Sequence, residues 1–502
     1  MKRYLFNPTT LILASAFFFY LLFSRNSAGI NSVLISLYSI ALFFALRKQN
    51  DKSERVKPVS WLLIAGLFAS SLSVVFAHTD FSIIIFWCCF FFFIGNFAYQ
   101  NMKHLQFAIL LSFQSLSLLP VTVLRRFTFI RRKKKVDWTN YIRFVFLPVF
   151  TIVILFVIYS YSNDLFFQSF QHLINRLGEF LNTISFDRIL FFLLGVLIFT
   201  ICFIEISSSK IIISDSLLSM NLERKKRKSF FQTLNRLLYR KKQMAIFLFF
   251  ILNLMIFWLN YLDISHIWFN FQWDGGYLKE MVHEGTYLLI VAILISIAVS
   301  VYYLNSNILF MKDNRLFKTL VIVWLIQNAI MIASVSIRNS YYIEYFALAY
   351  KRIFVYFFLA MCLIGLASII YMIYRRKSIA FLLSVNSISV YLIIILSACF
   401  NWDGIIARYN FAHYNQSFVH FNFLIDLNDS ALADMNYTED QLSQIKMVQS
   451  RKFSFSGDTE YANLNFTESI RKRKEQFKSR WEKSNFLEWN YPESRAYQRL
   501  FD

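Results

Sequence analysis

The sequence predicts an all-α fold: a polytopic transmembrane helical bundle of about 11 spans, with a small extracytoplasmic C-terminal helical tail. Three observations carry this expectation. Hydrophobic residues make up 57% of the 502 and charged residues only 16%, with a mean hydropathy of +0.47, whereas soluble domains carry roughly a quarter charged residues. Five Pro and 11 Gly are too few for a fold built on tight hairpins, so long helices are the default. The apolar residues also fall in runs that match the ~20 residues a helix needs to cross hydrocarbon, where every backbone polar group must be satisfied internally.

The runs that meet or approach this length are Thr9 to Phe23, Ile30 to Leu46, Ser60 to Ala77, Phe81 to Ala98, Phe144 to Tyr161 and Ile189 to Ile206, followed by Met244 to Tyr261, Gly285 to Leu304, Leu320 to Ile337, Ile353 to Tyr374 and Ser378 to Phe400. Met1 to Gly29 has the basic start and apolar core of a secretion signal, and the spans that follow favour reading it as a retained first helix. Leu105 to Val123 is ambiguous. Its Gln106, Ser112, Gln114, Ser115, Ser117 and Pro120 would be costly facing lipid, so an interfacial or re-entrant helix is expected.

Charge orients the bundle. Of the 52 Lys and Arg, only 13 follow Phe400, where they meet 14 of the 30 Asp and Glu, so the net charge of +22 belongs to the loops of the first 400 residues. With the N-terminus cytoplasmic, the outward loops hold only Arg25, Arg176, Arg188, Lys279, Arg338, Lys351 and Arg352. All other basic residues before Asn401 are then cytoplasmic, including Arg125 to Lys135 and Glu223 to Lys228, as the positive-inside bias requires. This distribution disfavours nucleic acid as a partner.

Residues 1–143 thus read as N-terminal membrane helices with a basic cytoplasmic loop, 144–400 as the membrane helical core, and 401–502 as an extracytoplasmic tail. Phe166, Phe170, Leu173, Leu177, Phe180 and Ile184 form an apolar stripe suited to the membrane surface or to covering the bundle. Ser229 to Lys242 is a short basic amphipathic piece fit for anionic lipid heads. In the tail, Thr438 begins a capped pattern, TEDQLSQIKMVQS, and Asn465 with Glu468 offers a second helix start ahead of Ile470 to Leu487.

Three polar blocks gather on the outer side: VHEGTY (Val282 to Tyr287), RNSYYIEYFALAYKR (Arg338 to Arg352) and NWDGIIARYN (Asn401 to Asn410). Asn163 and Asp164 add a fourth step. A candidate polar cluster follows: His283, Glu284, Arg338, Asn339, Glu344, Arg352, Asn401, Asp403 and Arg408. Charges beside a low-dielectric slab need partners, so Glu284, Glu344, Asp403 and Asp164 are expected to meet Arg338, Arg352 and Arg408. Such a network can pin helix ends, bind a ligand or, least favoured, catalyse.

No catalytic residue is assigned. HEGTY has Tyr287 where H-E-x-x-H needs its second His, no P-loop or G-x-G-x-x-G occurs, and DGGY (Asp274 to Tyr277) reads as a turn. Cys88, Cys89, Cys202, Cys362 and Cys399 form no C-x-x-C, and His413 and His420 are isolated, so no metal and no cofactor is expected. Within the apolar runs, Gln327, Asn328 and Glu205 are functional candidates or ordinary interhelical glue.

HEGTYLL, WLIQN followed by RNSYYIEYFALAYKR, and NWDGIIARYN resemble the signature blocks of a family of bacterial polytopic membrane proteins known only as a domain of unknown function. The resemblance is clearest from Tyr141 to Asn410, with Asp164 similar to a family Asp that ends a membrane helix. It implies the fold and location but no reaction or cofactor. A non-enzymatic envelope component binding or sensing a partner through its outer face is the leading expectation. A transporter or flippase-like protein for a hydrophobic or lipid-linked substrate comes next, then a membrane enzyme. The partners expected are membrane lipids, an envelope protein or a lipid-linked ligand.

Overall fold

The computed structural model describes residues 8–49, 56–99, 102–127, 170–171, 186–203, 209–223, 231–269, 275–304, 307–311, 313–453 and 466–502. Among the described residues all regular elements are helical, beside one isolated antiparallel bridge between Asn221 and Lys377. Six helices there are long and apolar enough to cross a membrane: Ile30–Arg47, Pro58–Phe76, Leu238–Trp268, Arg315–Phe346, Tyr350–Arg375 and Ile379–Ala398. Shorter apolar helices occupy Pro8–Phe23, Asp80–Asn96, Leu105–Ser117, Arg188–Cys202 and Leu288–Leu304. The chain is therefore a membrane-type, multi-helical protein. The expected span Phe144 to Tyr161, the stripe from Phe166 to Ile184 apart from Phe170, Asp164, Glu205 and the Arg125 to Lys135 side chains lie outside the described residues.

Contacts divide the chain into two compact units, one made of Met1–Ser71, Phe86–Ser216 and Asn485–Glu488 and the other of Leu72–Ile85, Leu217–Ser484 and Trp489–Asp502. The first holds α1 (Pro8–Phe23), α2 (Ile30–Gln49), most of α3 (Pro58–Phe76) and of α4 (Asp80–Asn96), α5 (Leu105–Phe127), α6 (Phe186–Phe203) and α7 (Ser209–Leu217). Helix α5 shows how polar groups survive among apolar helices. Its Ser112 is fully buried against α4, where Asn96 Nδ2 donates to Ser112 Oγ at 2.8 Å and to the Ala108 carbonyl at 2.6 Å. A Cβ on Gly95 would stand 2.5 Å from Ser112 Cα, so glycine is what lets α4 and α5 touch. On α5, Leu110, Phe113 and Leu116 are exposed. The polar residues counted against this segment are thus partly absorbed by a neighbouring helix. Asp215 accepts the backbone N–H groups of Lys103 and His104 at 2.9 and 3.1 Å, satisfying donors at the start of α5 that no helical carbonyl reaches.

The second unit is built on α8 (Phe231–Asp263), α9 (Gly275–Leu304), α10 (Arg315–Phe346), α11 (Tyr350–Arg375) and α12 (Ile379–Ala398). Phe249, Phe317, Val321, Trp324, Leu325, Leu366 and Met372 fill its apolar core. Lipid tails are as apolar as Leu, so such helices adhere through packing and interhelical hydrogen bonds. A polar seam between α8 and α10 supplies the bonds. Gln327 Nε2 donates to Asn253 Oδ1 at 2.7 Å, Asn253 to the Leu320 carbonyl at 3.0 Å and Asn260 to the Gln327 carbonyl at 3.1 Å. Gln327 therefore acts as interhelical glue.

Two boundaries differ from the sequence reading. The amphipathic piece at Ser229 to Lys242 is not a separate element from Phe231 onward, because it runs unbroken into the following apolar stretch as α8. Gly275 to Tyr277, read as a turn, form the first residues of α9. In both cases no Pro interrupts the helical backbone.

After α12 come α13 (Trp402–Ala412), α14 (Phe421–Ile425), a 3₁₀ turn (Asp429–Met435), α15 (Glu439–Lys452), α16 (Phe466–Lys483) and α17 (Tyr491–Phe501). This tail has its own core of Ile406, Phe411, Leu424, Leu432, Leu442, Ile445, Phe466, Ile470 and Phe477, joined by Ile353 of α11. The cap expected at Thr438 forms, as a capping box in which Thr438 and Gln441 bond each other's backbone N–H. Helix α16 stops at Lys483, short of the expected Leu487, and α17 starts from an Asn490 cap with Pro492 in its first turn.

Candidate functional site at the helical cap

The block Arg338 to Arg352 is not a loop. Helix α10 continues to Phe346, and the chain reverses in three residues because Ala347 takes a left-handed φ of 64°. Such a conformation is costly for a residue with a Cβ and persists here because its surroundings are bonded. Asn410 Oδ1 accepts the Leu348 N–H at 2.7 Å while its Nδ2 donates to the Leu348 carbonyl at 3.0 Å. Arg352 donates to the Phe346 carbonyl at 2.6 Å and to that of Ala347, with its guanidinium 4.4 Å above the Tyr342 ring. Asn339 donates to the Arg352 carbonyl at 2.9 Å. Asn339 and Arg352 thus come together at the reversal.

Among the described residues, Arg338 and Arg408 pair with carboxylates other than Glu344 and Asp403. Arg338 Nη2 lies 2.5 Å from Asp263 Oδ1, both side chains buried. Arg408 pairs with Asp434 at 3.1 Å, and Asp434 also takes Arg499 at 3.2 Å. Among the described residues, Arg352 meets carbonyls and a ring rather than a carboxylate. Glu344 is exposed; its carbonyl accepts Ser417 Oγ at 2.6 Å. His283 and Glu284 sit on the α9 backbone, but their side chains lie outside the described residues. Sequence reasoning paired blocks that topology placed on one side, whereas the actual partners Asp263 and Asp434 sit outside every block.

Asp403 and Asn401 anchor the start of α13. Asn401 Oδ1 caps the helix by accepting Gly404 N–H at 3.1 Å and is 3.3 Å from Ser430 Oγ. Asp403, only 3% exposed, accepts the Asn428 N–H at 2.9 Å and the hydroxyl of Tyr350, the first residue of α11. Beside it Asp429 binds Arg473 at 2.5 Å and Arg480 at 3.0 Å, and Arg480 reaches Glu493 at 2.5 Å. Glu493 in turn accepts Asn490 Nδ2 at 2.9 Å and lies 3.9 Å from His78 Nε2. Burial lowers the His78 pKa, outweighing the opposing pull of Glu493. Asn428 Nδ2 donates to the His78 carbonyl at 3.2 Å, tying the turn after α3 to this network.

A cavity of about 570 Å³ opens on this network, with Asp80, Tyr350, Trp402, Asp403, Asp429 and Arg473 among its lining residues, together with Asp426. Its walls carry four carboxylates against one guanidinium, so it favours cationic or hydroxyl-bearing groups. Among the described residues no group of three His, Cys, Asp or Glu is disposed to hold a metal ion. His78, Asp429, Arg473, Arg480 and Glu493 escaped sequence reasoning. The run DLNDSALAD (Asp426 to Asp434) is the one signal that could have pointed to the acidic half.

Apolar spans capped by a compact helical tail, with a polar cavity at their ends, define a multi-pass membrane-type protein. The chain belongs to the DUF4153 family, described as a domain of unknown function, whose sequence model matches residues 9–436. The match takes in the N-terminal helices beyond the blocks that carried the resemblance, and stops short of α15, α16 and α17. No curated protein and no solved structure shows a match.

Proposed function

We propose that this chain is a non-enzymatic envelope component of the bacterial cytoplasmic membrane that binds a partner through its helical cap. In this reading the chain crosses about eleven times, its N-terminus is cytoplasmic and residues 401–502 are extracytoplasmic. The observation that carries it is the cavity at Tyr350, Asp403 and Asp429, polar and acidic, at the ends of apolar helices. A partner presenting basic or hydroxyl groups complements such walls.

The test places a photo-crosslinking residue at Asp426 in the cavity and, as a control, at Met447 on α15, outside its walls. A discrete adduct from Asp426 alone, lost in Asp403→Asn at unchanged abundance, supports the reading. Equal adducts from both positions, or none, count against it. Labelling of a cysteine at Met447 from outside intact cells tests the orientation, and its protection there would invert the topology.

A second reading, a transporter or flippase-like protein, draws on the polar seam. Within it Asn260 Oδ1, Gln327 Oε1 and Asn328 Oδ1 are buried acceptors without a hydrogen-bond partner among the described residues, and intramembrane polar groups often mark pathways. Substrate movement in proteoliposomes that stops in Gln327→Leu favours this reading over the first.

A further inference from the structure

We propose that a second, smaller cleft between α13 and α17 binds a phosphate group, that of an anionic lipid headgroup. This site is independent of the acidic cavity. It measures about 150 Å³ and is lined by Arg408, Arg495, Arg499 and Asp434 together with Phe76 and Tyr491. Drug-sized ligands need about 300–1,000 Å³, so this cleft suits a phosphate and its ester arm rather than a larger molecule.

The charge is unbalanced in the required sense. Arg408 and Arg499 share a single carboxylate, each contacting a different oxygen of Asp434. Arg495 is exposed and has no ion-pair partner among the described residues. The guanidinium side chains of Arg408 and Arg499 are 63% and 43% exposed, so both can turn toward an anion without leaving a buried charge behind. Guanidinium groups match phosphate oxygens in bidentate geometry, which favours phosphate over a simple halide.

Position argues for a lipid as the source. Phe76 is the last residue of α3 and Asn401 follows the end of α12 at Ala398 by three residues. Both helices are long and apolar enough to cross a membrane, so the cleft stands where hydrocarbon gives way to headgroups. Phe76 and Tyr491, both exposed, face each other with ring centroids 6.3 Å apart. Aromatic rings with arginines beside them are the usual chemistry of that boundary.

The test uses the full chain purified in a neutral detergent, with native mass spectrometry and thermal unfolding as readouts. The probes are phosphatidylglycerol, phosphatidylcholine and inorganic phosphate. Phosphatidylglycerol is expected to bind and raise the unfolding temperature, with Arg408→Gln and Arg495→Gln each weakening it about tenfold. Asp434→Asn should strengthen binding, because it frees two guanidinium groups, an effect opposite to general damage. Inorganic phosphate that binds as well as the lipid and competes with it would keep the phosphate site but overturn the lipid source. Equal binding of both lipids, or variants that leave phosphatidylglycerol unaffected, would overturn the proposal.

Discussion

Arg338 of α10 and Asp263 at the end of α8 form a buried ion pair with Nη2 and Oδ1 2.5 Å apart. The pair is incompletely satisfied, since Asp263 Oδ2 and Arg338 Nε have no further hydrogen-bond partner among the described residues. Breaking such a pair leaves a lone buried charge, which costs more than the pair contributes. Arg338→Ala is therefore expected to destabilise the protein by about 3–5 kcal/mol. A double Arg338→Met, Asp263→Leu variant should recover most of it. Thermal unfolding in detergent reads both, and equal losses in single and double variants would contradict the coupling.

Asn410 holds the α10–α11 reversal by bonding both backbone groups of Leu348. Asn410→Ala strands a donor and an acceptor, at about 1–3 kcal/mol each where water is excluded. Asn410→Asp keeps the acceptor for the N–H but sets a carboxylate against the Leu348 carbonyl. It should rescue little. Protease cleavage near Ala347 in the purified variants measures the loosening, and an unchanged cleavage rate in Asn410→Ala would remove this residue from the account.

Acid should destabilise the fold through the buried His78. Burial depresses the folded-state pKa of His78 below its ordinary 6.5, so the unfolded chain binds the proton more readily and stability rises with pH across that interval. The contribution is fully present above pH ~6.5 and is lost as pH falls toward the lowered value. Unfolding midpoints between pH 7.5 and 5 should fall more steeply for the native chain than for His78→Gln. Parallel slopes would show that His78 does not titrate in this way.

Gly95 decides how closely α4 and α5 approach. A methyl group there would sit 2.5 Å from Ser112 Cα, so the helices must separate and the bonds from Asn96 to Ala108 and Ser112 must stretch. Gly95→Ala should cost about 1–3 kcal/mol as overpacking despite the ~1 kcal/mol gain in helix propensity. A stability increase would show that the helices part without loss.

Much of the architecture was legible because hydrocarbon imposes a strong rule. A run such as Ile353 to Tyr374 can satisfy its backbone only as a helix, and composition alone sets such runs apart. The Thr438 cap was legible for a similar reason, since its partner lies within one turn. Arg338, Asn339, Arg352, Asn401, Asp403 and Arg408 stood out as polar groups at apolar borders, and each is held by specific bonds in the structure.

Partnership was decided by the tertiary structure. Asp263 lies 75 residues from Arg338, Asp434 pairs with Arg408 and with Arg499 far beyond it, and the Arg473, Arg480 and Glu493 chain reaches the cavity from α16 and α17. Hydrogen bonds and ion pairs act over a few ångströms, and sequence carries no record of which helix ends meet at that range. Ser112 makes the same point, since it reads as a penalty within its own helix and becomes a contact once Gly95 lets α4 approach. Local chemistry thus determined the helices and the charged residues near their ends, while three-dimensional packing chose the partners and enclosed the acidic cavity.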